Sequence, residues 1–356
     1  MFEKLPSKYL GKLDKFKAVS KVKTNIYNTP IVYAKSGDNG IMYWAKENDF
    51  TVYRNILSII YNGAIATGLV YAQPQNTGIL AESYFIRLKE YDVDFKVNLF
   101  LQRVLETILY PKYSREYLAT WSGKVENDKI QLPLKNKKID FEFMESFIAQ
   151  IEAERIEKLE AYLEASGLKD YVLTVEEQKA LDDFGNIEFE EFNVIDIFDV
   201  KNAGNILSRD IIKNSGKTPY LCASSENNGI SSYISYNEEY LDEGNCIFIG
   251  GKTFVVSYQE KDFYSNDSHN LALYLRNQEK SKLNQLYLAT CVNKGLGYKY
   301  SWGDSISNRK IQRDTISLPT ENQQPNYKIM ETLISAIQKL VIKDVVLYVD
   351  IDNSTP

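Results

Sequence analysis

The chain repeats itself, and that constrains its architecture more than any single motif does. Thr29-Pro30-Ile31-Val32-Tyr33-Ala34-Lys35-Ser36-Gly37-Asp38-Asn39-Gly40-Ile41 returns without a gap as Thr218-Pro219-Tyr220-Leu221-Cys222-Ala223-Ser224-Ser225-Glu226-Asn227-Asn228-Gly229-Ile230, an offset of 189. Lys112-Tyr113-Ser114 matches Lys299-Tyr300-Ser301 at 187, and Ile130-Gln131-Leu132-Pro133 matches Ile316-Ser317-Leu318-Pro319 at 186. Asn62-Gly63, a strong two-residue hairpin signal, has its counterpart in Gly250-Gly251. After each Leu-Pro follows an apolar stripe at helical spacing: Met144, Phe147, Ile148 and Ile151, then Met330, Leu333, Ile334 and Ile337. Both stripes run into Lys-Asp-x-Val-Leu, at Lys169 and at Lys343, where the offset falls to 174. The second helix is therefore expected to be about 12 residues the shorter.

The order is globule, helix, globule, helix, and 356 residues suit two domains. The expected class is α+β: two tandem, duplicated, strand-rich domains joined by long helices that form an antiparallel pair. The expected divisions are 1–139, a spacer helix and connector over 140–190, a second domain over 191–325, and a second helix and tail over 326–356. The spacing predicts a first helix over 141–168, about 42 Å long at 1.5 Å per residue. The second should cover 326–342 and, having little polar surface, pair with the first; the alternative is that each helix packs only on its own globule. Leu159 extends the apolar side of the first helix, and Thr174-Val175-Glu176-Glu177 reads as a capping box opening a short connecting helix.

Charge is segregated. The formal net charge of −6 taken whole argues against a polyanion ligand. Resolved along the chain, residues 1–140 carry +7 and residues 201–320 carry +2, whereas residues 141–200 carry −13. The acidity belongs to the first helix and its connector, through Glu152, Glu154, Glu157, Glu160 and Glu164 among others. Such a rod suits a basic protein partner, or is a solvated face.

Little in the sequence supports catalysis. Its one histidine, His269, must serve any Ser-His-Asp or Cys-His device alone. Cys222, Cys246 and Cys291 lack C-x-x-C spacing and read as reduced thiols of a cytoplasmic protein. Gly295-Leu296-Gly297 does not complete a dinucleotide loop, and Gly250-Gly251-Lys252-Thr253 lacks the first glycine of a phosphate loop. Asp199-Val200-Lys201 has a nuclease-like form but is too short to weigh much. The uncharged stretch between Arg54 and Glu82 reads as two buried strands around a turn rather than a membrane span. No secretory signal is visible at the N-terminus. No cofactor and no metal are expected.

Binding is the stronger class. Two related globules on a rod can read two separated copies of a ligand with rough two-fold symmetry, such as DNA, whose grooves recur about every 34 Å. The paired polar loops supply Tyr33, Lys35, Ser36 and Asn39, and Ser224, Ser225, Asn227 and Asn228. Basic residues interleaved with aromatics supply Lys112, Tyr113, Ser114 and Arg115, and Lys299, Tyr300, Ser301, Arg309 and Lys310. Tyr264, Asn266 and His269 lie on a further polar loop. Ordinary turn clusters at a sheet edge would read the same way.

The sequence resembles the specificity subunits of type I, and related type IIB, restriction-modification systems. The carrying residues are Asn193-Val194-Ile195-Asp196-Ile197-Phe198-Asp199, then Thr218-Pro219, Ala223 to Ile230, Tyr264-Ser265-Asn266-Asp267, Lys310-Ile311 and Ile316-Ser317-Leu318-Pro319 followed by the helix. The resemblance implies two target-recognition domains, each reading half of a split double-stranded DNA site. It implies no chemistry in this chain, and helices that dock methyltransferase subunits, with restriction subunits as further partners. Met144, Ile148, Ile151, Leu159, Met330, Ile334 and Ile337 are then the candidate helix-pairing or docking residues. The chain departs from the family in being short and in its shorter second helix. Competing readings are an orphan or phage-borne specificity subunit redirecting a host methyltransferase, and a tandem carbohydrate-binding or adhesion module.

Overall fold

The computed structural model describes residues 1–12, 14–276 and 280–353. The chain divides into two compact units, residues 1–159 and residues from Glu160 onward.

In the first unit the strands are β1 (Phe2–Leu5), β2 (Val19–Ser20), β3 (Thr29–Val32), β4 (Ile41–Ala45), β5 (Ile56–Ile60), β6 (Val70–Gln73), β7 (Gly78–Ile79) and β8 (Ser83–Leu88). An antiparallel sheet runs β1-β8-β5-β6, and a second runs β2-β4-β3-β7 with β7 parallel to β3. Helix α1 (Phe95–Lys112), capped by the Asp94 carboxylate on the Lys96 N–H, buries Leu101, Leu105 and Leu109 against Leu57, Ile59, Val70 and Ile86. A small hairpin, β9 (Leu134–Lys135) with β10 (Lys138–Ile139), leads into α2 (Phe141–Ala165).

The uncharged stretch forms β5, β6 and β7, with every residue of these strands buried, as expected of a sheet covered on both faces. The expected tight turn at Asn62-Gly63 is not what joins β5 to β6. A longer loop over 61–69 does, cinched where the Gly63 N–H donates to Thr67 Oγ1 at 3.0 Å and the Thr67 hydroxyl returns to the Gly63 carbonyl at 2.6 Å. Its counterpart spans 251–254.

The second unit opens with α3 (Val175–Asp182). The expected capping box is present: the Glu177 N–H donates to Thr174 Oγ1 at 3.1 Å and the Thr174 N–H to Glu177 Oε2 at 2.7 Å. Then follow β11 (Phe189–Asn193), α4 (Val194–Ile197), β12 (Phe198–Asn202), β13 (Thr218–Leu221), β14 (Ile230–Ile234), β15 (Cys246–Gly250), β16 (Val255–Gln259), β17 (Tyr264–Ser265) and β18 (Leu271–Leu275). Next come α5 (Lys282–Leu296), α6 (Asn308–Ile311), β19 (Thr315–Glu321), β20 (Gln324–Pro325) and α7 (Tyr327–Asn353). The sheets β12-β18-β15-β16 and β14-β13-β17 repeat the two sheets of the first unit, including a parallel pair, β13 with β17. A third sheet runs β11-β19-β20. The mixed, duplicated, strand-rich architecture read from the sequence is the one observed.

The second long helix is not the shorter one: α7 has 27 residues and α2 has 25. The reason is local. Gly167, at φ 67°, sits in the left-handed region and ends α2 before Lys169. No glycine stands at the matching place ahead of Lys343, so the same Lys-Asp-x-Val-Leu string stays helical, with Val346 and Val349 buried. Helix α7 packs on α3 and α5. Glu177 accepts from Ser335 Oγ at 2.5 Å and Lys339 Nζ at 3.1 Å, and Lys339 also holds Asp170 at 2.9 Å.

Candidate nucleic-acid interface

The duplicated Thr-Pro string is a strand plus the loop that follows it, and both copies are held by matching glutamine and asparagine bonds to main-chain carbonyls. Asn39 and Gly40, like Asn227, Asn228 and Gly229, take positive φ, which asparagine tolerates and glycine adopts freely. Gln73 Nε2 donates to the Asn39 carbonyl at 2.9 Å and to Ser58 Oγ at 3.0 Å. Gln259 Nε2 likewise donates to the Asn228 carbonyl at 3.0 Å, but its second bond, to Ser257 Oγ at 2.8 Å, stays on its own strand rather than crossing to the neighbouring one. Asn39 Nδ2 reaches the Ala72 carbonyl at 3.4 Å, and Asn228 Nδ2 the Tyr258 carbonyl at 3.0 Å. A Cβ placed on Gly63 would lie 3.3 Å from that of Ala34, and one on Gly250 only 2.6 Å from that of Ala223. Asn39 and Asn228, expected to contact ligand, therefore spend their amides on the neighbouring strand. Lys35 pairs with Asp38 beside exposed Ser36, and Tyr33 is half-buried against Phe16 and Tyr43. Sequence reading missed both glutamines, although they stand 186 apart, the offset that aligns the helices.

In the second unit several loops converge. Thr253 Oγ1 donates to the Ala223 carbonyl at 3.0 Å and the Gly251 N–H to Asn270 Oδ1 at 3.0 Å. Lys252 holds Asp267 at 2.6 Å, and His269 Nδ1 stands 2.7 Å from the same carboxylate. Burial opposes ionisation of Asp267, but Lys252 and the backbone N–H and ring of His269 outweigh it and draw the carboxyl down to about 2. Asn202 Nδ2 reaches the Ser268 carbonyl at 2.7 Å, and Asn308, at the start of α6, reaches the Val200 carbonyl at 3.0 Å. One surface thus gathers Ser224, Ser225, Asn227, Asn266 and His269, and Asn308 joins Arg309 and Lys310 to it. Arg309 is exposed; Lys310 is tied to Asp304 and to the Ser305 carbonyl.

Other candidates are placed differently. Tyr113 and Tyr300 are buried and face inward, which corrects their expected place in the contact surface. The Tyr113 hydroxyl donates to Asp128 Oδ2 at 2.9 Å and that of Tyr300 to Asp314 Oδ2 at 2.6 Å, while Lys112 and Lys299 pair with the same carboxylates. Burial and then the Asp128 hydrogen bond push Tyr113 up to about 12, and Tyr300 is raised for the same reasons. Tyr264 is also buried, its hydroxyl donated to the Tyr236 carbonyl at 2.9 Å. Ser114, Arg115 and Ser301 stay exposed. The aromatic surface near Tyr300 comes instead from Tyr298 and Trp302, 87% and 79% exposed.

On the helices, Met144 and Met330 are buried in the cores of their own units rather than offered to a partner. Ile148, Ile151, Leu159 and Ile334 are half-buried, and Ile337 is exposed. Part of the acidic surface is already matched: Glu152 lies 3.7 Å from Lys96, and Glu160 and Glu164 hold Lys169 at 2.9 and 3.1 Å. The three cysteines are free thiols, and burial pushes Cys246 and Cys291 up to about 12. Lys201 lies 4.7 Å over the Tyr274 ring. Among the described residues no helix is long and apolar enough to cross a membrane, and no three His, Cys, Asp or Glu gather as metal ligands.

The tandem architecture with its paired loops has counterparts among known proteins. A solved S subunit of a type I restriction-modification system from M. genitalium superposes with a TM-score of 0.58 at 12% identity, covering 100% of this chain and 92% of that one, so the two share a fold. The chain is 23% identical over 329 residues, 91% of its length and 90% of the relative's, to the specificity subunit S.BcgI of a type II restriction enzyme from Heyndrickxia coagulans. Residues 186–347 match the family model of the type I restriction modification DNA specificity domain. Over its length the chain is related to restriction-modification specificity subunits, as the sequence resemblance implied.

Proposed function

We propose that this chain is the non-catalytic DNA-reading subunit of a cytoplasmic restriction-modification complex. Each unit reads half of a bipartite double-stranded target, and the helices dock methyltransferase subunits. One observation carries the reading: the same loop scaffold is built twice, with matching anchors but different tips, Lys35-Ser36-Gly37-Asp38 in one and Ser224-Ser225-Glu226-Asn227 in the other. Identical scaffolds with different outward side chains suit an asymmetric site whose halves differ in sequence. The relative's own designation as a specificity subunit supports it.

Methylome sequencing of cells with and without the chain, alongside the neighbouring methyltransferase, tests the proposal. Loss of one bipartite methylated motif is expected. An unchanged methylome, with no duplex binding at low salt in the presence of methyltransferase, would remove it.

A further inference from the structure

The two units part company between their first sheet strand and their Thr-Pro strand. β1 and β12 hold the same edge of matching sheets. In the second unit residues 203–217 lead from β12 to β13, and β14 is left as an edge of its sheet. In the first unit the longer stretch 6–28 leads from β1 to β3 and supplies β2, which covers β4, Val19 opposite Ala45 and Ser20 opposite Trp44.

This added segment is where the first unit's positive charge gathers. Residues 6–28 carry six lysines and one acid, Asp14, whereas residues 203–217 carry three basic residues and one acid, Asp210. Lys15 is half-buried and donates to the Leu80 carbonyl at 2.9 Å. Lys8, Lys12, Lys17, Lys21 and Lys23 are exposed and hold no ion pair among the described residues. Lys23 Nζ lies 5.0 Å over the Trp44 ring, and Lys46 Nζ 5.5 Å over that of Tyr27. An aromatic face steadies an ammonium group without neutralising it, so both charges stay available to an anion. In the second unit Arg209 already stands 3.7 Å from Asp210.

The lysines also lie beside the duplicated loop. The Phe16 ring is 6.2 Å from that of Tyr33, where the loop begins, and β2 pairs with β4, the strand into which the loop runs. We propose that this lysine strip holds the phosphate backbone of duplex DNA. The first unit then supplies most of the salt-dependent binding, while the second adds little of it beyond Arg309. The inference rests on the DNA-reading role and adds how the two units divide it. Phosphate contacts set register and orientation without carrying sequence, so the strip should serve any duplex alike.

Anisotropy of a labelled mixed-sequence duplex, titrated with the full chain and its methyltransferase over a range of salt, tests this. Lys17→Gln, Lys21→Gln and Lys23→Gln together should lower the slope of log K against log salt by about two to three. Arginine at the same three positions should keep the wild-type slope, and the urea midpoint should not move in either variant. Arg209→Gln, Lys213→Gln and Lys217→Gln remove equal charge from the second unit and should change the slope by less than about one. Equal changes from the two glutamine triples, or an unaltered slope in the first, overturn the inference and leave the DNA-reading role standing. So does an unaltered slope with lost methyltransferase binding, which would make the strip a protein-docking surface. A wild-type chain that binds no duplex removes both.

Discussion

Tyr300 and Asp314 meet in the core of the second unit, hydroxyl to carboxylate at 2.6 Å, and the pair recurs as Tyr113 and Asp128 at 2.9 Å in the first. The duplicated Lys-Tyr-Ser string is thus an internal strut, with the tyrosine donating from the core and the lysine closing over the same carboxylate from outside. Tyr300→Phe should cost about 1–3 kcal/mol of stability, because a buried carboxylate loses a charge-assisted donor. A double-mutant cycle with Asp314→Asn, followed by urea unfolding, should show coupling of about 0.5–3 kcal/mol.

The strut separates two lysine-rich positions that look alike in sequence. Arg309→Ala should lower the salt slope of duplex binding by about one while leaving the urea midpoint unchanged. Lys299→Ala should do the reverse, moving the midpoint more than the slope. A slope unaltered by Arg309→Ala would move the interface away from α6.

Gly250 is a tight point of the loop scaffold, packed against Ala223. Gly250→Ala should destabilise the second unit by about 1–3 kcal/mol, since its new methyl would stand 2.6 Å from the Ala223 Cβ. Gly63→Ala, facing Ala34 at 3.3 Å, should cost less. Comparing the two unfolding curves checks the order.

Asp267 gives the second-unit loops a pH response. Its folded value of about 2 lies below the unfolded one near 3.9, so its stabilisation is complete above about pH 4 and is lost as pH falls towards 2. Asp267→Asn should flatten that part of the acid limb, measured as urea midpoints between pH 5 and 3.

Thr174→Ala should cost about 1 kcal/mol by removing the cap of α3. Glu177→Ala should cost more, since it removes the box and also the carboxylate that accepts from Ser335 and Lys339 on α7. Thermal melts of the two variants give the comparison.

Much of this was legible in the sequence because the duplication aligns residues with a common task. Ala34 with Ala223 and Asn39 with Asn228 marked the loops, and Thr174 with Glu177 marked a helix start. What failed was the direction in which a side chain points. Lys112-Tyr113 and Lys299-Tyr300 have the chemistry of a nucleic-acid surface, and only the partner carboxylates, some 15 residues on, reveal that the tyrosines turn inward. The length of α7 was misread because the repeated Lys-Asp-x-Val-Leu is not itself a stop signal; Gly167, just ahead of its first copy, is.

Gln73 and Gln259 grip their loops by main-chain carbonyls, a feature every residue type carries. The grip therefore places no demand on what Lys35, Ser36, Ser224 or Ser225 happens to be. Tips of this kind can be rewritten one substitution at a time, in either unit alone, without the scaffold having to be relearned. On the proposed DNA-reading role, a protein so built can change its preference by drift while remaining folded at every intermediate step.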